Sequence, residues 1–416
     1  MTDSLDAYPG PGATPGRRLL VLAFAATFLS RAVAGAEVES LRAQLWLTDQ
    51  ALGTLVSAFA GAYAIGLPAG AALGARRRRA ALLAAGLAVC GAATAASAAA
   101  FGFWTLIAAR VAAGAGAGLA AGLAVVLLLD GDRRPGRAPR GLLMPAAAGL
   151  AMGYLLGGVC GRTPGWRGAF IASGVALLAL APACLRAGEP PRREADPWSS
   201  LSAEGWARAL RRLAGARARY LSVLAAVVGA SAASALAFWL PAFLERTRGV
   251  PRLVTGAQLG VAVLASGFAG AALGRAGSQA GTGRPAAGGW TAAAGMAAAA
   301  MAMLGALSAA RSVVILPCLM VALLGVFAAA RGAVSALDGQ EVSDPALAAV
   351  ALLLIHGAGE LGGAFGLGAV ADRVSFGRAL YLLPAALLAS AMLWAAAAWA
   401  WGRSRRAVDD AGRKVA

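Results

Sequence analysis

The stretch RAGEPPRREADPWSSLSAEGWARALRRLAGARAR, from Arg186 to Arg219, is the one long polar connection in an otherwise apolar chain of 416 residues. It opens on Gly188-Glu189-Pro190-Pro191 and carries eight arginines. On either side the sequence divides into apolar runs of about 20 residues, enough to cross roughly 30 Å of hydrocarbon at 1.5 Å per residue. Six precede it, near 18–37, 51–74, 80–100, 103–129, 141–160 and 167–185. Six follow, near 220–244, 255–275, 287–309, 312–336, 346–371 and 378–402. The fold expected is therefore an all-α membrane protein, twelve transmembrane helices in two six-helix pseudo-symmetric bundles. Its parts are a disordered N-terminus (1–17), an N-terminal bundle (18–185), a basic linker (186–219), a C-terminal bundle (220–402) and a tail (403–416).

Composition points the same way. The chain is 59% hydrophobic and 13% charged, with a mean hydropathy of +0.70, whereas a soluble domain averages about 45–50% and about 25%. The runs are too continuous for the alternation of a membrane β-barrel. A formal charge of +18 would suit a nucleic-acid partner until the arginines are placed. With the N-terminus inside, 25 basic residues fall in connections on the inner side and nine on the other. That bias orients both termini to the cytoplasm of a bacterial-type inner membrane, with no role for nucleic acid. Arg17-Arg18 precede a first run with no cleavage signal, which reads as a retained span. The linker segment from Trp206 to Arg219 is either a surface helix on anionic lipid or a solvated tether. Cys90, Cys160, Cys184 and Cys318 lie inside apolar runs without CxxC or Cys/His spacing, so no metal, disulfide or cofactor is expected. One histidine and no nucleophile beside a base argue against an enzyme.

Ionisable residues within spans are functional candidates, because each costs several kcal/mol unless it faces a cavity or a partner. Five stand out: Arg31, Arg110, Arg331, His356 and Glu360. His356 and Glu360 are one helical turn apart and can share a hydrogen bond, either as a proton-coupling pair or as structural packing. No carboxylate lies well inside the first six runs, so Arg31 and Arg110 read as guanidiniums available to a phosphate or carboxylate. The alternative is that one of them, Arg110 foremost, bonds backbone carbonyls or reaches Glu360 across the bundle interface. Phe238 and Trp239 are candidates to line an apolar route for an acyl chain, or else to pack against the eleventh span. Glu245, Arg246 and Arg248 read as a solvated helix end at the rim. Glycines at 114, 116 and 118, at 149, 153 and 157, and at 359, 362, 363, 366 and 368 permit close helix approach.

The 6+6 layout is similar to that of the major facilitator superfamily, and several segments resemble its Spinster group. Ala235-Leu236-Ala237-Phe238-Trp239-Leu240-Pro241-Ala242-Phe243-Leu244-Glu245-Arg246 looks like that group's seventh-span signature. Ile355-His356-Gly357-Ala358-Gly359-Glu360, with Gly368-Ala369-Val370-Ala371-Asp372-Arg373, is similar to its eleventh span. Gly165-Trp166-Arg167-Gly168-Ala169-Phe170 and Gly188-Glu189-Pro190-Pro191-Arg192 match the start of span six and of the linker. The resemblance implies alternating access and export of lysophospholipids or sphingosine 1-phosphate. It also implies proton-coupling acids where this chain has Ser30 and Ala117, and an aspartate where it has Ala75, which makes it a divergent member. The function expected is a secondary transporter of an amphiphilic anionic lipid or lipid-like solute, a monomer, with Arg31, Arg110, Phe238 and Trp239 at the substrate, His356 and Glu360 as coupling candidates, and protons as a candidate partner. A drug or hydrophobic-molecule exporter and a transport-incompetent receptor or scaffold are the alternatives.

Overall fold

A computed structural model describes residues 15–74, 76–130, 142–160, 165–187, 189, 217–280, 285–309, 312–338 and 359–415. Apart from short connections the chain is helical in these residues, as it must be where no water can satisfy the backbone. In order the helices are α1 (Pro15–Ala36), α2 (Val38–Leu45), α3 (Asp49–Gly74), α4 (Arg79–Ser97), α5 (Phe103–Asp130), α6 (Leu143–Cys160) and α7 (Trp166–Cys184). The second half comprises α8 (Arg217–Ala242), α9 (Arg252–Ala280), α10 (Pro285–Ser308), α11 (Ser312–Asp338), α12 (359–371), α13 (Phe376–Ala379) and α14 (Leu382–Val415). Among the described residues ten helices are long and apolar enough to cross a membrane. The apolar run Val314–Ala330 in α11, together with α12, falls where the tenth and eleventh spans are expected.

The two halves repeat one packing scheme. In the first, α1 packs on α6, α3 on α5, and α4 on both α5 and α7. In the second, α9 packs on α11, and α10 on both α11 and α14; α8 meets α12 where Gly363 lies against the Ser231 backbone. Small residues set these distances. Gly114, Gly118 and Gly122, one turn apart on α5, lie against the carbonyls of Phe59, Tyr63 and Leu67, one turn apart on α3. Gly149 and Gly153 seat α6 against the Ala25 and Leu29 carbonyls of α1, and Gly157 against the Ala36 side chain. Close backbone approach of this kind replaces the hydrophobic effect as the source of helix association in lipid. The halves meet along α1 with α8, α6 with α9, and α3 with α12.

Three features add to the sequence expectation. The connection after the first span contains α2, closed by Trp46 in the left-handed conformation at φ 54°. The tail segment continues the last span as helix, since α14 runs on to Val415. Beyond Pro241, α8 widens into a single π-turn, Phe243–Thr247, which re-aims Glu245 and Arg246. At the opposite end of the molecule Glu189 accepts a hydrogen bond from the Ala80 backbone N–H at 3.0 Å, capping α4, whose own N-cap residue Arg78 makes no side-chain bond. The rest of the linker, including the Trp206–Arg219 surface-helix question up to residue 216, lies outside the described residues.

Candidate functional site

The site forms where α1, α2, α3, α5, α7 and α8 converge, one to two turns in from the end of the molecule that carries α2. Its cavity is lined by Arg31, Ala34, Leu41, Leu52, Leu55, Val56, Phe59, Leu106, Arg110, Phe170 and Phe238. Two arginines therefore stand alone in a lining of aliphatic and aromatic groups. The packing scheme brings together Arg31, Arg110 and Phe238, which lie up to 207 positions apart in the chain.

Arg110 is buried, 2% exposed, between the faces of Phe59 and Phe170, at 4.6 and 5.8 Å from the ring centroids. Its Nη2 donates to the Ser30 carbonyl at 3.2 Å, and its Nη1 has no hydrogen-bond partner among the described residues. Where the resemblance implies an acid, the Ser30 hydroxyl instead shares a 2.7 Å hydrogen bond with Thr94, leaving only the Ser30 backbone carbonyl for Arg110. Ala117, the other such position, is fully buried in the apolar core of the first half. A cationic group held by one carbonyl and two ring faces keeps donor capacity for an incoming anion.

Arg31 is placed differently from the expectation of an unpaired guanidinium. Its Nη2 is in ion-pair contact with Glu360 on α12, and both side chains are largely buried. The partner is an acid of the other half, which no inventory of the first six spans could supply. Its pairing with α1 assigns Glu360 to the interface between the halves. His356 lies outside the described residues. Arg331 falls on α11, but its side chain is outside the described set.

Trp239 requires a correction. It is fully buried, donates through Nε1 to the Ala364 carbonyl at 3.2 Å, and packs on Phe376 at 5.4 Å. Adjacent helical residues point about 100° apart, so Phe238 faces the cavity and Trp239 turns away from it, into the core shared by the two halves. Nor is the rim cluster a solvated helix end. Arg248 caps the last turn of α10, donating to the carbonyls of Ala306, Leu307 and Ala309 at 2.8–2.9 Å. Arg246 lies over Phe376 at 4.1 Å and is clamped by Glu39 (2.6 Å) and Asp49 (2.7 Å). Arg252 on α9 reaches Glu245, Glu37 and Ser40.

These contacts close the α2 end of the molecule above the cavity. Asp372, at the end of α12, accepts from the backbone N–H groups of Asp49 (3.0 Å) and Gln50 (2.9 Å), so the second half caps the N-terminus of α3 in the first. Tyr154 of α6 donates to the Ala237 carbonyl of α8, and Ser57 of α3 to the Leu361 carbonyl of α12 at 2.7 Å. Sequence reasoning missed Glu37, Glu39, Asp49, Arg252 and Asp372 as a network. The available signal was a crowd of acids between spans one and two facing the arginines between spans seven and eight. Asp372→Ala is expected to lower stability by about 1 kcal/mol, the ordinary worth of a cap, read as a reduced unfolding midpoint in detergent.

Comparison with known proteins agrees with this architecture. The chain is similar in structure to a bacterial homologue of the human lysosomal transporter Spinster. Against the inward-facing, unoccupied conformation of that protein the TM-score is 0.73 at 18% identity, over 95% of this chain and 98% of the other. Against its inward-facing, occupied conformation the score is 0.70 at 16% identity, over 95% and 98%. The xylose transporter XylE from E. coli, partially occluded and inward open, gives 0.67 at 14% identity, over 90% and 97%. No curated protein sequence matches significantly. The family model for the Major Facilitator Superfamily, a family of transporters and not enzymes, matches residues 19–366, which takes in the cavity, both arginines and Glu360, and the chain belongs to that superfamily.

Proposed function

We propose that the protein carries an amphiphilic anion, a lysolipid-like or sphingoid phosphate or a related organic anion, across the membrane by alternating access. The observation that carries this reading is Arg110, buried beside an aromatic and aliphatic cavity with one guanidinium nitrogen unengaged among the described residues. A phosphate or carboxylate there gains charge-assisted hydrogen bonds in a low-dielectric setting, while Phe59, Phe170 and Phe238 accommodate the apolar portion.

Arg31 gives the same site a link to conformational change. Its guanidinium is shared between the cavity and Glu360, so an anion that engages Arg31 competes with the ion pair joining α1 to α12. Binding then loosens the inner layer of the closed face, the differential interaction a ligand needs to shift a two-state equilibrium. Glu360, on the far side of that ion pair, stays the coupling candidate of this reading. In this reading the α2 face is the outer one, both termini are cytoplasmic, the membrane is a bacterial inner membrane, and the working unit is a single chain.

The purified chain in liposomes is expected to move lysophospholipid or sphingoid phosphate. The rate should fall at least tenfold in Arg31→Ala and in Arg110→Gln, the loss of about 1.5–3 kcal/mol that a hydrogen bond to a charged group supplies. Unchanged flux in both variants would remove the arginines from the mechanism. Flux of neutral hydrophobic solutes alone would favour the drug-exporter alternative.

A further inference from the structure

Glu37 stands at the junction of α1 and α2, and its side chain is wholly buried. Its Oε2 accepts from Ser40 at 2.9 Å and lies 3.5 Å from Arg252 Nη1. Its Oε1 has no hydrogen-bond partner among the described residues and lies against α6, near Gly157. Arg252 does not belong to Glu37 alone. Its Nε and Nη2 each lie 3.2 Å from Glu245 Oε2, a closer engagement than the one it makes with Glu37.

Among the described residues the groups facing Glu37 are few. Arg252 approaches from α9, Glu245 from the π-turn, Ser40 from α2 and Cys160 from the end of α6. Glu39, the next acid along, is committed to Arg246. Two carboxylates, one from each half of the molecule, thus share one guanidinium and, among the described residues, leave a surplus negative charge in a desolvated interface. A proton on one of them is the least expensive way to neutralise it, and Glu37, more deeply buried and more weakly paired, is the one placed to hold it.

We propose that Glu37 is a proton-binding site assembled only when the α2 face closes: the proton is held while α2, α6 and α9 pack together and is released when α9 withdraws. The site rests on the alternating-access reading and adds to it a coupling group at the gate, in a chain that has Ser30 and Ala117 where the Spinster resemblance implies acids. Burial, partly offset by Arg252 and Ser40, holds the Glu37 carboxyl up to about 7 in the closed face against an ordinary 4.5. In the open face the hydrated carboxyl returns to its ordinary range. Between those two values the closed face binds a proton that the open face does not, so the closed-to-open ratio falls about tenfold for each pH unit of rise. Below that window both states are protonated and above it neither is, and the dependence vanishes.

The test uses the full chain in lipid nanodiscs without any transported solute. Infrared pH-difference spectra are expected to show a protonated-carboxyl stretch that disappears near pH 7, is absent in Glu37→Gln and persists in Glu189→Gln. Glu245→Gln, which leaves Arg252 to Glu37, should move the midpoint down. Hydrogen–deuterium exchange over residues 37–50, expressed as protection relative to the intrinsic rate at each pH, should show protection falling as pH rises in the native chain and staying flat in Glu37→Gln. A band that survives in Glu37→Gln, titrates only in the ordinary carboxylate range, or accompanies unaltered pH-dependence of exchange would overturn the proposal. Absence of lysolipid flux with the Glu37 band intact would instead count against the substrate assigned above and leave the proton site standing.

Discussion

Arg246→Ala is expected to unseal the α2 face. The guanidinium makes four hydrogen bonds, to Glu39 and Asp49, at 2.6–2.9 Å, and lies over Phe376. Removing it leaves two carboxylates close together and mostly buried, with their common counter-charge gone. Breaking a fully buried pair from one side costs about 3–5 kcal/mol. Here the Arg246 side chain is 19% exposed, and solvent screening lowers the expected cost to about 2–3 kcal/mol. The penalty falls on the closed conformation, since the acids rehydrate once the halves part. Spin labels on α2 and α9 should report longer distances, and the unfolding midpoint in detergent should drop. Arg246→Lys should restore only part of the effect, because an ammonium cannot span both carboxylates and stack on the ring. Unchanged distances in Arg246→Ala would show that the clamp does not hold the face shut.

Gly368→Val should give the larger effect on transport. A Cβ at Gly368 would fall inside van der Waals contact of the Asp49 carbonyl oxygen and 2.8 Å from its carbon, where α12 crosses the N-terminus of α3. The obstructing atoms are backbone, which cannot rotate aside as a flexible side chain can. The substitution therefore acts as a wedge between the two halves, separating Asp372 from the amides it caps and holding the face open. A transporter that cannot close one side cannot complete its cycle, so flux should fall to background while the protein still inserts. Gly366→Val supplies the control: on the same helix, nothing stands within 4 Å of the added carbon, and near-native flux is expected. Equal behaviour of the two variants would refute the wedge.

The membrane helices were legible in the sequence because each is dictated locally. A run such as 103–129 must become a helix in lipid, and it does so as Phe103–Asp130. The repeats at 149, 153 and 157 announced close packing for a similar reason: four-residue spacing places them on one helix face whatever the partner. Trp239 was harder, because being next to Phe238 says nothing about which of two faces meets the cavity. The choice depends on how α8 is rotated against α1 and α12, a matter of packing. α2 escaped because its helical spacing, Val38, Leu41 and Leu45, runs over only eight residues, too short a stretch to tell a helix from a connection.

The charges divide along the same line. That Arg31, Arg110 and Glu360 must be functional or paired followed from the sequence, since an ionisable group within an apolar run cannot be left in lipid. Which of them pair did not. Arg31 and Glu360 lie 329 positions apart, and Asp372 caps amides 323 and 322 positions away. Such partners are chosen when two bundles dock, and nothing in the local pattern of either segment encodes the other. The sequence by itself determined a twelve-span helical transporter fold, its central divide and the residues that carry charge. Only the tertiary structure decided that Arg31 is shared with the far bundle, that Arg110 lines the cavity with one nitrogen unengaged among the described residues, and that Glu37 shares Arg252 with an acid from the other half. The physical reason is range: hydrophobic transfer and helix formation act within a segment, whereas ion pairing and close packing depend on which segments meet.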